Sequence, residues 1–356
     1  MNYILITGCL GLVGSEASIF FSKKGFKVIG IDNDLRKYFF GKEASTKSKL
    51  RILKKEIKDF YYYNIDIRDK KKIGKIFKKY KSKIKCIVHC AAQPSHDWAA
   101  REPITDFSVN AQGTLNLLEN TRLYSKDCVF IFASTNKVYG DNPNLLPMIE
   151  GKHRYEVSNK NKFFKKGIDE SMSIDQCKHS LFGASKLSAD ILVQEYGRYF
   201  GMKTVCFRAG CITGPLHSGS ELHGFLSYLV KCAVTKKKYT IFGFKGKQVR
   251  DNIHSFDLVN MFWSFYKKPK CASVYNVGGG RHSNCSILEA IHVIEEILGY
   301  KMKYKISSSK RIGDHIWYIS DISKFKKDFK TWNYKYNIKS IIIEIIKFFK
   351  SNEKSY

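Results

Sequence analysis

The sequence predicts an α/β protein: a doubly wound parallel sheet followed by a smaller C-terminal α/β lobe. Three observations predict it. Short apolar runs alternate with stretches of helical period over most of the chain. Glycines recur at a fixed spacing, Gly8, Gly11 and Gly14, between the first apolar run and the first helix. Polar residues collect where the apolar runs end, which is where ligands bind in open α/β sheets.

The first unit is the most informative. Tyr3–Thr7 reads as a strand, residues 8–14 as a glycine-spaced turn, and the stretch from Leu12 to about Lys24 as a helix. Gly8 permits the tight exit from the strand, Gly11 lets backbone N–H groups approach a pyrophosphate, and Gly14 lets the helix pack close. A second apolar strand, residues 26–31, ends on Asp32 and Asn33. An acid 24 residues after Gly8 can accept hydrogen bonds from adenosine ribose hydroxyls and repels a 2′-phosphate, so NAD is favoured over NADP. This is a Rossmann dinucleotide-binding unit, with Gly8, Gly11, Leu12, Gly14, Asp32 and Asn33 as expected contacts. No Lys or Arg precedes the apolar run, which argues against a secretory leader.

Composition excludes several classes. The chain has 356 residues, 44% of them apolar, enough for one large α/β domain or two unequal lobes. No run of 18 uninterrupted apolar residues occurs, so no transmembrane helix is expected. The net charge of +30 comes mostly from Lys spread along the chain, without a nucleic-acid fold signature. It reads as solvated surface, and its field would favour an anionic substrate. Ten cysteines include no Cys-x-x-Cys pair and no His/Cys cluster of metal-ligand spacing, so reduced thiols in a cytoplasmic setting and no metal are expected.

The other elements follow in order. Residues 33–59 are polar and Lys-rich, and their middle reads as a surface excursion. A third strand ends in Asp66-Ile67-Arg68-Asp69, where Asp66 and Ile67 are expected cofactor contacts, Asp66 at the adenine amino group, and Asp69 can cap the helix 70–80. The fourth strand, 84–89, runs into Ala91, Ala92 and Gln93, small or polar residues suited to the cofactor's second phosphate and nicotinamide ribose. Ser95 and Trp98 read equally as groups near a sugar or as a cap and a packed ring, with His96 between them. A helix near 110–124 precedes the fifth strand, 129–133, which delivers Thr135, Asn136, Lys137 and Tyr139 to the prime catalytic position. Residues 141–178 read as an active-site loop. A long helix to about Phe200 follows, with Ser180 as its cap and Phe182 and Lys186 one turn apart on one face. Residues 338–349 read as a docking helix.

The ordered series resembles the extended short-chain dehydrogenase/reductase family, and within it the nucleotide-sugar epimerases. The resemblance rests on the three glycines, Asp32, Asp66, Ala91-Ala92, Asn110, Thr135 ahead of Val138-Tyr139-Gly140, Lys186, Gly214-Pro215, Arg250-Asp251 with His254 and Asp257, and Arg311 with Asp314. Residues 134–140 and 246–251 look most like those of the CDP-paratose (CDP-tyvelose) 2-epimerases. The resemblance implies NAD as a recycled hydride store. It implies Thr135 and Asn136 at the reacting sugar, Lys186 at the nicotinamide ribose, and Arg250, Arg311 and Asp314 at the nucleotide diphosphate. It divides the chain into a cofactor domain, 1–209 with parts of 247–280, and a nucleotide-sugar lobe, 210–246 and 281–356. It also implies a homodimer through the helices near 110–124 and 181–200, and a role in supplying surface-polysaccharide sugars.

Two positions depart from the family pattern. The family's base is a Tyr four residues before the helix Lys; Phe182 stands there and cannot accept a proton. Cys211 stands where many relatives carry Asn. General-base catalysis contributes roughly 10²–10⁴-fold, so a substitute is needed. His179, Lys137 and His96 are the candidates, with His179 the leading expectation. A 4-epimerase, a dehydrogenase, or a binding protein that has lost its base are the alternative functions. A 4,6-dehydratase is disfavoured, because Asn136-Lys137 replaces the Asp-Glu pair used for water loss.

Overall fold

The computed structural model describes residues 2–217, 219, 224–309 and 313–351, and the expectation at Arg311 lies outside them. The chain forms two compact units. The first comprises residues 1–138, 180–208 and 259–275, and the second residues 139–179, 209–258 and 276–356.

A seven-stranded sheet organises the first unit. Its strands include β1 (Tyr3–Thr7), β2 (Lys27–Ile31), β3 (Phe60–Tyr63), β4 (Ile84–His89) and β5 (Val129–Thr135). The spatial order is Ser273–Val277, Lys203–Ala209, β5, β4, β1, β2, β3. Pairing is parallel between β1 and β2, β2 and β3, β1 and β4, and β4 and β5. The order reverses between β1 and β4, and this switch point opens the crevice where doubly wound folds bind ligands. Strands here are apolar on both faces because helices cover both: Ile4, Leu5, Ile6, Ile87, Val88, Phe130 and Ile131 are fully buried. The expected Rossmann class is therefore present.

Three local outcomes differ from expectation. Residues 33–59 contain two helices, Leu35–Phe40 and Ser48–Glu56. Their polar linker is tied down by Asp34, which accepts hydrogen bonds from Ser45 Oγ at 2.6 Å and Thr46 N at 2.7 Å. The helix preceding β5 opens with a π-helical segment, Ser108–Gln112, before Gly113–Tyr124. Residues 139–179 group with the second unit, and only 259–275 return to the first. The physical reason is local pairing: Tyr139 donates to Asn276 Oδ1 at 2.7 Å, Tyr155 N to Lys247 O at 2.8 Å, and Ile168 bridges to Ser320.

The second unit is built around Val249–His254. This strand pairs with Asn284–Ser286, Trp317–Tyr318 and Cys211–Thr213. Helix Ile287–Leu298 starts with a capping box between Ser286 and Glu289. Helix Ile338–Ser351 buries Ile341, Ile342, Ile345, Ile346 and Phe349 on one stripe, as a docking helix should. Among the described residues, no helix is long and apolar enough to cross a membrane.

Asp251 is buried at the centre of this unit. Its Oδ2 accepts from Gly280 N at 3.1 Å and Ser320 N at 2.9 Å. A Cβ on Gly210 would lie 2.3 Å from Oδ1, so the carboxylate reaches its place only past glycine. Burial pushes its pKa up to about 6, against the two backbone N–H groups. The folded chain therefore holds this proton more tightly than the unfolded chain. Its contribution favours folding at low pH and is lost as pH rises from about 4 through about 6. Asp251→Asn is expected to gain in melting temperature relative to the parent as pH rises from 5 to 7.5. Thermal unfolding across that range checks this, and a pH-independent difference would refute it.

Candidate active site

The glycine turn after β1 forms a tight cradle. Gly8 has φ +67°, and a Cβ there would lie 2.8 Å from Ala91 N. A Cβ on Gly14 would sit 2.1 Å from Gly8 O, inside any possible contact, so the helix Leu12–Lys23 packs this close only with glycine. That helix has Gly11 as its N-cap, no side-chain cap and no acid in its first turn. Its N–H groups and dipole are left for an anion. Asp32, at the tip of β2, accepts from Leu10 N at 2.9 Å and Asp34 N at 2.8 Å. Burial raises its pKa in spite of these bonds. A Cβ-free cradle, an uncapped helix end and a fixed acid beside it fit a dinucleotide.

The residues that follow β3 are held as closely. Asp66 accepts from Arg68 Nη2 at 2.7 Å and Asn33 Nδ2 at 3.0 Å. Burial pushes its pKa up, but the Arg68 bonds outweigh burial and hold it below the ordinary value. Asp69 caps its helix by accepting from Lys72 N at 3.0 Å. Ile67 is a packing residue, pressed against Gly113, where a Cβ would come within 2.6 Å of its Cδ1.

At the end of β4, His89 lies 2.7 Å from Thr7 Oγ1 and 2.9 Å from Thr114 Oγ1. Burial lowers its pKa to about 3, so the ring is a neutral strut. Ala91 N donates to Thr7 Oγ1 at 3.3 Å, which fixes the small-residue loop leading to Ala92. Gln93 turns inward. Its amide donates to Asp106 at 2.9 Å and to Ser95 O at 2.8 Å, and its backbone N donates to Asn110 Oδ1 at 2.9 Å. Asn110 in turn donates to Gln93 O, Asp106 and Ser185 Oγ. Ser95 caps its helix and Trp98 packs against Tyr38 and Phe39, the structural alternative for both residues.

Helix Ser180–Phe200 brings two polar side chains, Lys186 and Asp190, to β5. Lys186 Nζ donates to Ala133 O at 3.0 Å and stands 4.1 Å from the Phe132 ring centroid. Burial lowers its ammonium pKa to about 8. Ser134 Oγ donates to Asp190 at 2.5 Å, and Arg208 donates to the same carboxylate at 2.8 and 3.2 Å. Thr135 Oγ1 accepts from Lys137 N at 3.3 Å and donates to Asn136 Oδ1 at 3.4 Å. Sequence reasoning missed Asp190 and Asp106. Asp190 had a signal, because Phe182, Lys186 and Asp190 fall on one helical stripe that must face the core.

At the start of the same helix, Phe182 is buried and meets the His96 ring edge to face, with centroids 4.9 Å apart. Ser180 Oγ lies 2.8 Å from His96 Nδ1 and accepts from Gly183 N at 3.2 Å. Ser180 has φ +57°, a left-handed backbone that costs a non-glycine residue on the order of 1–2 kcal/mol.

In the second unit, His179 Nε2 lies 2.8 Å from Ile174 O and 3.4 Å from Cys177 Sγ. A carbonyl only accepts, so Nε2 carries the hydrogen there and Nδ1 is the ring's acceptor nitrogen. Arg250 Nη1 donates to Val249 O at 2.9 Å, and Nη2 stands 3.8 Å from Asp314 Oδ1, which brings together two of the three residues expected at the diphosphate.

The cradle and the strand-end groups define a Rossmann enzyme of the dinucleotide-dependent class. A family profile described as "NAD dependent epimerase/dehydratase family" matches residues 4–278. The chain is 31% identical over 328 residues to the CDP-paratose 2-epimerase of Salmonella typhi, covering 90% of this chain and 91% of that protein. It is 28% identical over 323 residues to human UDP-glucose 4-epimerase, covering 87% and 86%. The UDP-glucose 4-epimerase structure from Bifidobacterium longum superposes with a TM-score of 0.80 at 22% identity over all of both chains. The dTDP-glucose 4,6-dehydratase structure from Bacillus anthracis gives 0.77 at 21%, covering 100% and 99%. The chain belongs to the NAD-dependent epimerase/dehydratase family, within the extended short-chain dehydrogenases/reductases, and it is an NAD-dependent enzyme.

Gly14→Ala is expected to lower the melting temperature and remove most NAD from the purified protein. NAD released on denaturation, measured by chromatography, checks this; a variant with undiminished content would contradict the cradle.

Proposed function

We propose that the enzyme is a nucleotide-sugar 2-epimerase acting on a CDP-hexose. One observation carries this reading: the similarity to a CDP-paratose 2-epimerase runs over nine-tenths of both chains. The 134–140 and 246–251 stretches support it from the sequence side. Gly8, Gly11, Leu12, Gly14, Asp32, Asn33 and Asp66 hold the dinucleotide, and the backbone of 91–93 lines its second half. Bound NAD supplies a hydride acceptor and donor. Lys186 orients the nicotinamide ribose and places positive charge nearby, while Thr135 and Asn136 hold the reacting hydroxyl. In the second unit, Arg250, held by Asp314, takes the diphosphate, where a planar guanidinium can bind two oxygens at once. The sugar would lose the C2 hydroxyl proton and the C2 hydride, then regain the hydride on its other face and the proton on its oxygen. The same reading places the enzyme in the cytoplasm, supplying sugars for surface polysaccharide.

Incubation with CDP-, UDP-, GDP- and dTDP-hexoses in deuterated water tests this by NMR. The expected product is a C2-inverted CDP-hexose with no deuterium at C2, because the hydride never meets solvent. Inversion at C4, or deuterium in a 4-keto-6-deoxy product, would overturn it.

We also propose a homodimer. In the first unit the helices Gly113–Tyr124 and Ser180–Phe200 expose Leu123, Leu181, Ile191, Tyr199 and Phe200. Large apolar side chains left exposed on these two helices suit a second copy. Light scattering at micromolar concentration is expected to give twice the chain mass, and Ile191→Lys with Tyr199→Lys to halve it.

A further inference from the structure

We propose that Ser180 and His96 form the proton relay that replaces the family's tyrosine. The proposal rests on the epimerase reading and names the group which that reading lacks. The family pattern puts a phenolate at position 182, and the ring of Phe182 occupies that place without an oxygen. The structure sets a hydroxyl and an imidazole around it. Ser180 Oγ stands 2.8 Å from His96 Nδ1, and the imidazole lies edge to face against Phe182. All three belong to the first unit, as do Lys186 and Thr135.

The surroundings of Ser180 suit a transient negative charge. Gly183 N donates to Oγ at 3.2 Å. The hydroxyl lies at the N-terminus of a 21-residue helix, whose dipole favours an anion there. Lys186 follows on the same helix, less than two turns away. The left-handed backbone of Ser180 is a second sign of purpose. Glycine would hold that conformation without strain, yet a side chain with a hydroxyl stands there.

Proton and hydride balance as follows. The sugar hydroxyl passes its proton to Ser180 Oγ as Ser180 passes its own to His96 Nδ1. The carbinol C–H bond breaks, its hydride goes to the enzyme's NAD, and the C=O double bond forms. On return, the imidazolium gives its proton back through Ser180 as hydride re-forms the C–H bond on the other face. No further oxidant is needed. The logic is that of a serine–histidine pair, with the hydroxyl relaying a proton instead of attacking.

The test combines four variants of the NAD-loaded protein: His96→Gln, Ser180→Gly, Phe182→Tyr and His96→Gln/Phe182→Tyr. Single-turnover reduction of bound NAD is followed by absorbance with whichever nucleotide hexose gives the strongest signal. His96→Gln and Ser180→Gly are expected to slow reduction by about 10²-fold or more with NAD content unchanged. Ser180→Gly relieves the backbone strain, so its loss cannot be assigned to a misfolded helix start. The double variant is expected to recover at least tenfold over His96→Gln, because the Phe182→Tyr change restores a phenolate at the family's position. Nitrogen-15 NMR of His96 gives a reading independent of turnover: Ser180→Gly is expected to shift its Nδ1 resonance. Rates within fivefold of the parent in His96→Gln or in Ser180→Gly, or an unmoved Nδ1 signal, would overturn the relay. Absence of turnover on CDP-hexoses with activity on another nucleotide would sink the substrate reading and leave the relay standing.

Discussion

Everything in the first unit depends on how closely the first helix approaches the first strand. Gly8 O lies where the Cβ of residue 14 would be, at 2.1 Å. That contact aims the helix N-terminus along the strand end and sets where a phosphate can sit. It also places Gly8 against Ala91, so β1 and β4 meet at the switch point with no side chain between them. Thr7 then has only to bridge His89 and Ala91 for the second half of the cofactor loop to be fixed. One exclusion of a methyl group thus positions two strand ends, a helix and a loop.

Around this frame the buried polar groups serve positioning. Asp190 gathers Ser134 and Arg208, joining β5, the long helix and the next strand through one carboxylate. Asp106 accepts from Gln93 and Asn110, and burial pushes its pKa up to about 6. Such networks rigidify a site only when every member is satisfied, and these are densely bonded. Lys186 is held between a backbone carbonyl and an aromatic face, so its ammonium has one place to be. The reactive end of the site is therefore stiff at its lysine and its strand.

How much of this was legible in the sequence follows from the range of each interaction. The glycine turn, Asp32 and the strand ends were readable because their chemistry is local and periodic. So was the docking helix, whose apolar stripe needs no partner to be seen. The helices at 35–40 and 48–56 were hidden by their lysines, since Asp34 and its hydroxyl partners stabilise them where apolar periodicity does not. The π-helical turn at 108–112 has no composition signal at all. The surroundings of Phe182 were the hardest case. His96 was one of three candidates in the sequence, but its contact with Ser180 spans 84 positions. No single-chain pattern encodes a contact of that separation; only the fold does. The division of the chain shows the same limit, since the 139–179 segment is claimed by pairings to residues far beyond it.

The Phe182 ring carries a consequence for descent. Codons for phenylalanine and tyrosine differ at one base. A lineage with the Ser180–His96 pair in place can therefore lose the phenol, or regain it, in a single mutational step. The aromatic ring stays in both cases, so the helix keeps its packing against His96 throughout. Replacing Phe182 by Tyr would thus set a phenol beside the proposed relay without disturbing that packing.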